Sequence, residues 1–314
     1  MPDLNGKIAI VTGANSGMGL ATVEALSDMG ATVIMLCRNE ERGRAAVAEL
    51  TAKALSSKKE ETPNTAETLN AAEISNAMEI SEAEGISAKE RKLDLMICDL
   101  GDYTSIREFA KRVKEKYPRI DILVNNAGFI SLDRQETKEG IEKQFGINHL
   151  GHFLLTTLLV DMMGPGSRIV NVASGAHKAG KIHFDDINLK KGYNVVKAYS
   201  QSKLANVLFT KELARRLKSR RISVNCCHPG AVATNMGVDR ETGFGKTITG
   251  MLRPFFLTPA EGARTAVYLA TDEAVANTTG GYFYLCKPAI SSKLSRDREL
   301  AKRLYALSED LVRE

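Results

Sequence analysis

Two rhythms of apolar residues alternate along the chain. Short runs that are apolar nearly throughout fall at 7–12, 32–37, 93–98, 121–124, 168–172, 223–227 and 281–285. They are rich in Val and Ile, as strands covered on both faces should be. Between them lie stretches with the 3.6-residue spacing of amphipathic helices. That order predicts an α/β fold in which parallel strands are joined by right-handed crossovers. The expected architecture is a doubly wound parallel sheet of about seven strands with helices on both faces.

One stretch breaks the rhythm. From 52 to 91 the chain is rich in Ala, Ser, Glu, Thr and Asn and has no aromatic residue. Glu73-Ile74-Ser75 recurs as Glu79-Ile80-Ser81, and Ile86-Ser87 follows at the same interval. A six-residue period does not keep one helical face, so no regular amphipathic helix is signalled. The segment reads as a low-complexity insertion at about 52–91 within a single domain spanning 1–314.

Composition narrows the class. A chain of 314 residues is long for one domain, but α/β folds carry this length, and 43% hydrophobic residues suffice for a covered sheet. The net charge of +5 is scattered among both signs, which argues against nucleic acid and leaves room for a local anionic ligand. Five cysteines, an odd number without CxxC spacing, argue against a disulfide framework and a zinc site. With no run long enough to span a membrane and no leader pattern, the expected address is the cytoplasm.

Chemistry first appears after the first strand, in Thr12-Gly13-Ala14-Asn15-Ser16-Gly17-Met18-Gly19. Glycines at this spacing let the backbone turn sharply, and the following helix offers free N–H groups to a pyrophosphate. Together with the strand order, this turn makes the sheet one of Rossmann type. The second strand ends on Cys37, followed by Arg38 and Asn39, where an NAD site usually carries an acidic residue. A guanidinium there suits the 2′-phosphate of NADP(H), which a carboxylate would repel.

Tyr199 and Lys203 stand four residues apart in a predicted helix running through Leu217, so phenol and ammonium share one face. A phenol with an ordinary pKa of about 10 is a poor base at neutral pH. A nearby ammonium favours its phenolate and fits Tyr199 for acid–base work on a carbonyl or alcohol oxygen.

With these motifs in order, the chain resembles the short-chain dehydrogenase/reductase family over nearly its whole length outside the insertion. Asp99-Leu100, Asn125-Asn126-Ala127-Gly128 and Pro229-Gly230 complete the pattern. The resemblance implies a catalytic tetrad of Asn148, Ser174, Tyr199 and Lys203. Ser174 would hold the substrate oxygen, and Asn148 would maintain a kinked helix and a water path. It also implies cofactor contacts from Gly13, Ser16, Gly17, Met18, Gly19, Arg38, Asn39, Asp99, Leu100, Asn126, Ala127, Gly128, Tyr199, Lys203, Pro229, Gly230 and Thr234, with no metal. His149, His152 and His177 are expected to serve in packing or a substrate loop.

Within the family, Asn148-His149-Leu150-Gly151-His152-Phe153, Ser174-Gly175-Ala176-His177 and Ser202-Lys203-Leu204-Ala205-Asn206 are similar to the retinol dehydrogenase branch. The implied activity is interconversion of a carbonyl and an alcohol with NADP(H). The alternative is an NADP-binding sensor or scaffold without turnover. A sugar-nucleotide epimerase is disfavoured by the glycine spacing. The substrate is expected to be a small lipophilic carbonyl or alcohol, because the lid segment carries Met236, Val238, Phe244, Ile248, Met251, Leu252, Phe255, Phe256 and Leu257. Arg240 and Arg253 leave an acidic substrate open. Helices at 141–163 and 198–217 are the family's usual dimer surfaces, so the resemblance allows a homodimer as well as a monomer.

Overall fold

The computed structural model describes residues 2–59, 91–230 and 257–313. Their sheet has eight strands: β1 (Ile8–Thr12), β2 (Thr32–Cys37), β3 (Leu93–Ile97), β4 (Ile122–Asn125), β5 (Arg168–Val172), β6 (Ser223–His228), β7 (Tyr282–Tyr284) and β8 (Lys287–Pro288). They lie in the order β3-β2-β1-β4-β5-β6-β7-β8. All pairs are parallel except β7 with β8. The chain builds outward from β1 through β2 to β3, then returns to place β4 on the other side of β1. That reversal opens a crevice beyond the carboxyl ends of β1 and β4, the usual binding place in such sheets.

Alternation along the strands divides the core. Ile10, Ile34, Leu36, Leu123, Ile169 and Val224 face one side, against α3 (Tyr103–Lys116), α4 (His152–Leu159), α5 (Val195–Arg216) and α7 (Arg298–Val312). Val11, Val33, Met35, Val124, Val170 and Cys227 face the other, against α1 (Gly17–Asp28), α2 (Glu40–Lys59) and α6 (Pro259–Thr271). Both faces are apolar because both are covered. Helix starts follow local capping. The side chains of Asp102, Asn194 and Asp297 accept first-turn N–H groups of α3, α5 and α7, and Thr258 with Glu261 forms a reciprocal box at α6.

Three segments depart from the expected pattern. The helix at 141–163 is a turn at Lys143–Phe145, a π-helical turn at Gly146–Gly151, then α4 and a 3-10 turn at Val160–Met162. A Cβ at Gly151 would collide with the Leu100 carbonyl, and one at Gly146 with Thr137, so these glycines let the widened turn sit close to its neighbours. The strand at 281–285 stops at Tyr284, because Leu285 and Cys286 take positive φ (49° and 59°) in a two-residue turn to β8. At the start of the expected insertion, α2 continues to Lys59. At its end, Arg91 donates to the Leu50 carbonyl (2.6 Å) and pairs with Asp28 (2.7 Å). Residues 60–90 lie outside the described residues.

Helix α7 lies across the segments expected as dimer surfaces. Its Tyr305 ring packs edge-on against Phe153 (4.9 Å), Ser308 bonds His149 (2.9 Å), and the Arg216 guanidinium stacks on Tyr305 (3.7 Å). Cys37, Cys98, Cys226 and Cys227 are buried free thiols; burial pushes Cys37 up to about 11 and Cys98 and Cys226 up to about 12. They serve as small core residues.

Candidate active site

Every described candidate from the sequence lies at or just beyond the carboxyl end of a strand, or on the π turn and α5 beside those ends. At the first turn, Gly13 and Gly17 hold positive φ (65° and 54°) that an L side chain resists. A Cβ at Gly19 would strike the Gly13 carbonyl and come within 2.7 Å of Asn126 Nδ2. Ser16 precedes α1 without a side-chain cap, and the first turn of α1, with Met18 and Gly19 buried, carries no acidic group. The donor set of this helix start therefore fits a pyrophosphate.

Arg38 follows β2, is exposed, and makes no hydrogen bond or ion pair among the described residues. Asn39 is already engaged: its Oδ1 accepts the Arg42 N–H (2.9 Å) and its carbonyl the Gly43 N–H (3.1 Å), starting α2. Asp99 Oδ1 accepts the Gly101 N–H (2.8 Å), which fixes the turn that buries Leu100. Asn126, Ala127 and Gly128 follow β4 opposite the glycine turn. Gly230, after Pro229, has φ 90°, and Leu257 lies so close that a Cβ on the glycine would sit 2.6 Å from its Cδ1. Thr234, Arg240, Arg253 and the lid residues from Met236 to Phe256 lie outside the described residues.

Thr12, at the head of the glycine motif, and His152, expected to serve in packing or a substrate loop, tie this side to the catalytic side. The Thr12 hydroxyl accepts the N–H groups of Asn126 (2.9 Å) and Ala127 (2.8 Å) and lies 2.9 Å from His152 Nε2. With both lone pairs used, its single proton goes to Nε2, so His152 carries its own proton on Nδ1 and donates it to the Asn148 carbonyl (3.1 Å). Burial holds His152 neutral, down to about 4. The sequence signal was present: His152 lies one helical turn after Asn148.

The Asn148 side chain clamps the loop after β4. Its Oδ1 accepts the Phe129 N–H (2.7 Å), and its Nδ2 donates to the Phe129 carbonyl (2.9 Å) and to Ser202 Oγ (3.0 Å). The kinked helix implied by the resemblance is present as the π turn around it. The side chain itself is engaged by the Phe129 backbone and by Ser202 Oγ.

Ser174 ends β5 in extended conformation and turns into a 3-10 segment, Gly175–Ala179. Its side chain is hydrogen-bonded to Tyr199, and the Lys203 ammonium lies 5.6 Å from the centre of the Tyr199 ring. Lys203 is fully buried and donates to the Val172 carbonyl (3.1 Å). The structure thus brings Ser174, Tyr199 and Lys203 together. Burial pushes the Tyr199 phenol up, against the lowering effect of Ser174, and pushes Lys203 down to about 8. On the phenol, desolvation is the larger effect and the Ser174 hydrogen bond the smaller. No group of His, Cys, Asp and Glu among the described residues is arranged to hold a metal.

A doubly wound sheet, an uncapped glycine turn and a buried Tyr–Lys pair beside a serine define an α/β oxidoreductase of dinucleotide-binding type. The short chain dehydrogenase family model matches residues 7–84 and 64–243, and the chain belongs to that family; it is an oxidoreductase acting on CH–OH groups. Among its relatives, retinol dehydrogenase 14 of Homo sapiens is 39% identical, the match covering 98% of this chain and 87% of that protein. Retinol dehydrogenase 13 of Homo sapiens is 40% identical over 98% of this chain and 85% of its own. Of the solved structures, an uncharacterised protein from Mycobacterium paratuberculosis is similar with a TM-score of 0.73 and 30% identity, covering 99% of this chain and 95% of that one. A blue fluorescent protein from a metagenomic library, in complex with NADPH, is similar with a TM-score of 0.62 and 25% identity, covering 90% and 96%.

Proposed function

We propose that this chain reduces lipophilic aldehydes or ketones with NADPH, and runs the reverse oxidation when the balance of substrates favours it. The observation that carries the cofactor choice is Arg38, an exposed cation without a partner among the described residues, where an NAD site would place a carboxylate. The cofactor supplies the hydride. The chain's own part is at the oxygen: Ser174 orients the carbonyl, and Tyr199, kept protonated by burial, passes its proton to the oxygen as hydride reaches carbon. Lys203 lies where its charge stabilises the phenolate left behind.

The lipophilic reading rests on the rim. Leu257 leans on Gly230, with the exposed Tyr284 ring on the same side. The relatives named retinol dehydrogenase point the same way. The test is a rate comparison across aldehydes of rising chain length, with NADPH and NADH, on wild type and Arg38→Asp. kcat/KM should rise with chain length, and the variant should lose tenfold or more of its NADPH preference, since a charge-assisted bond contributes about 1.5–3 kcal/mol. Faster turnover of sugars or keto acids, or unchanged NADPH affinity in the variant, would overturn the reading.

A further inference from the structure

His228, the last residue of β6, and His177, in the turn after Ser174 and expected to serve in packing or a substrate loop, lie outside the tetrad and the cofactor contacts. Both touch the backbone of the Ser174 turn. His228 Nδ1 accepts the Gly175 N–H (3.2 Å) and the Gly230 N–H (3.3 Å), and so joins the turn after β5 to the loop after β6. A ring nitrogen that receives two N–H groups carries no proton, so the His228 proton is on Nε2. The absent side chain at Gly175 permits this approach, since a Cβ there would lie 3.3 Å from His228 Nε2. The Tyr284 ring stacks on the imidazole at 4.9 Å and 18°.

His177 grips the same turn from its other side. Its Nε2 accepts the Ser292 N–H (3.1 Å), so its own proton is on Nδ1, which donates to the Ser174 carbonyl (2.7 Å). Tyr282 packs on this ring at 4.8 Å. The two imidazoles therefore hold opposite tautomers, and each needs one unprotonated nitrogen facing a backbone donor.

The geometry points to His228 and His177 as a paired positioning device: neutral, they fix the Ser174 hydroxyl for the substrate oxygen, and in acid they release it. Protonation of either ring turns an acceptor into a donor aimed at another donor. Among the described residues no carboxylate stands by to compensate. The groups facing His228 are His177 and Lys178 of the turn, Tyr284 of β7, and its own strand neighbour Cys227; those facing His177 are Lys178, Lys211 of α5, Tyr282 and His228. Among the described residues these are cationic or neutral. Burial first, and then these cations, hold both rings below the ordinary histidine value. The release therefore falls below pH 6.5.

The device rests on the proposed role of Ser174 at the carbonyl, so one arm of the test does not use turnover. Nitrogen-15 NMR of the histidine rings in the whole chain should show the Nε2–H tautomer at His228 and the Nδ1–H tautomer at His177 at pH 7.5. The Gly175 amide should exchange at least tenfold faster in His228→Leu. The opposite tautomers, or unchanged Gly175 exchange, would overturn the device whatever the substrate proves to be.

The second arm follows NADPH-dependent reduction of decanal from pH 5 to 8. His228→Leu should lower kcat at least tenfold while shifting the KM for NADPH less than threefold. His228→Asn, whose Oδ1 replaces Nδ1 as an acceptor that does not titrate, should recover at least half of that loss on a logarithmic scale. It should also make the acid limb of kcat/KM shallower, the share of His177 remaining. Equal loss in both variants with an unchanged acid limb would show a merely structural histidine. A wild type inactive on every carbonyl tested would instead remove the proposed function, with the NMR arm still deciding the device.

Discussion

Helices α3 and α5 cover the same face of the sheet, yet they are built on opposite rules. In α3 the buried residues are Ile106, Phe109, Ala110 and Val113, at spacings of three and four, and the remaining positions are largely polar and exposed. In α5 every residue from Ser200 to Thr210 is buried, including Gln201, Ser202, Lys203, Asn206 and Thr210, and Glu212 follows. A surface helix needs one apolar stripe. A helix buried all round with polar side chains is stable where most of them have partners, and here only the Ser200 hydroxyl lacks one among its described buried polar side chains. Lys203 has the Val172 carbonyl and Tyr199, Gln201 donates to the Ile187 carbonyl (3.0 Å), and Thr210 accepts from Asn171 (2.9 Å). The contrast teaches that burial means packing in α3 and positioning in α5, which makes the two helices respond differently to substitution.

The largest expected effect tests that claim on α5. Tyr199→Phe should lower kcat by about 10²–10⁴, the usual contribution of a positioned acid, while leaving the fold and NADPH affinity within about threefold. Steady-state kinetics beside a fluorescence titration of NADPH measure both. A variant keeping more than about a tenth of wild-type turnover would remove the acid role. The mirror experiment is Phe109→Ala in α3. It empties a fully buried ring position and should cost about 3–5 kcal/mol of stability, read as a fall in the urea midpoint, with kcat per folded molecule unchanged. If Phe109→Ala instead lowered kcat in the folded fraction, the division between the helices would fail.

A smaller effect, expressed per pH unit, comes from the histidines between the π turn and α4. Burial pushes His149 down to about 3 and His152 down to about 4 from an ordinary 6.5. The unfolded chain binds these protons more readily, so the stability they contribute is full above pH 6.5. It declines as pH falls from 6.5 toward the folded values. With each group contributing up to about 1.4 kcal/mol per pH unit in that window, unfolding free energy should fall by up to about 3 kcal/mol per unit. Urea titrations at pH 7.5, 6.0 and 5.0 read this slope. His152→Gln should remove its own share, up to about 1.4 kcal/mol per pH unit, and an unchanged slope would show that the ring is not held neutral.

The stripe of α3 was open to the sequence because hydrophobic spacing encodes it directly. So were the glycine turn and the Tyr199–Lys203 pair, which local spacing and strand order define. The π turn was not legible in hydrophobic spacing, which reads as an ordinary apolar helix; only the resemblance implied a kink there, and the close approach of Gly151 to Leu100, fifty-one positions away, is a tertiary contact. The tautomers of His152, His177 and His228 were hidden for the same reason, since each depends on donors 115, 140 or 53 positions away or on a neighbouring loop. The hairpin at Leu285-Cys286 escaped because neither residue is a usual left-handed turn former. Alternation predicts which faces are covered; it does not say which polar atoms meet across them.

The smallest effect belongs to the exposed face of α3, and it bounds the comparison from below. Lys111 and Glu115 form a pair one turn apart at 3.9 Å, with both side chains more than half exposed. Such a pair gains little Coulomb energy in water and gives up side-chain freedom to form. Lys111→Ala should therefore change the unfolding free energy by less than about 0.5 kcal/mol, and raising the salt should leave even that difference smaller. Glu212 of α5 is the proper contrast: it is buried, and Arg215 and Arg216 both donate to its carboxylate, with Arg216 also stacked on Tyr305 of α7. Glu212→Ala takes the acceptor from two cations and loosens the contact that carries α7, so its effect on the urea midpoint should clearly exceed that of Lys111→Ala. Measured side by side at low and high salt, equal effects would mean that burial on α5 adds nothing to an ion pair. A larger and salt-resistant loss for Glu212→Ala would place the boundary between solvated and positioned charge where the two helices differ.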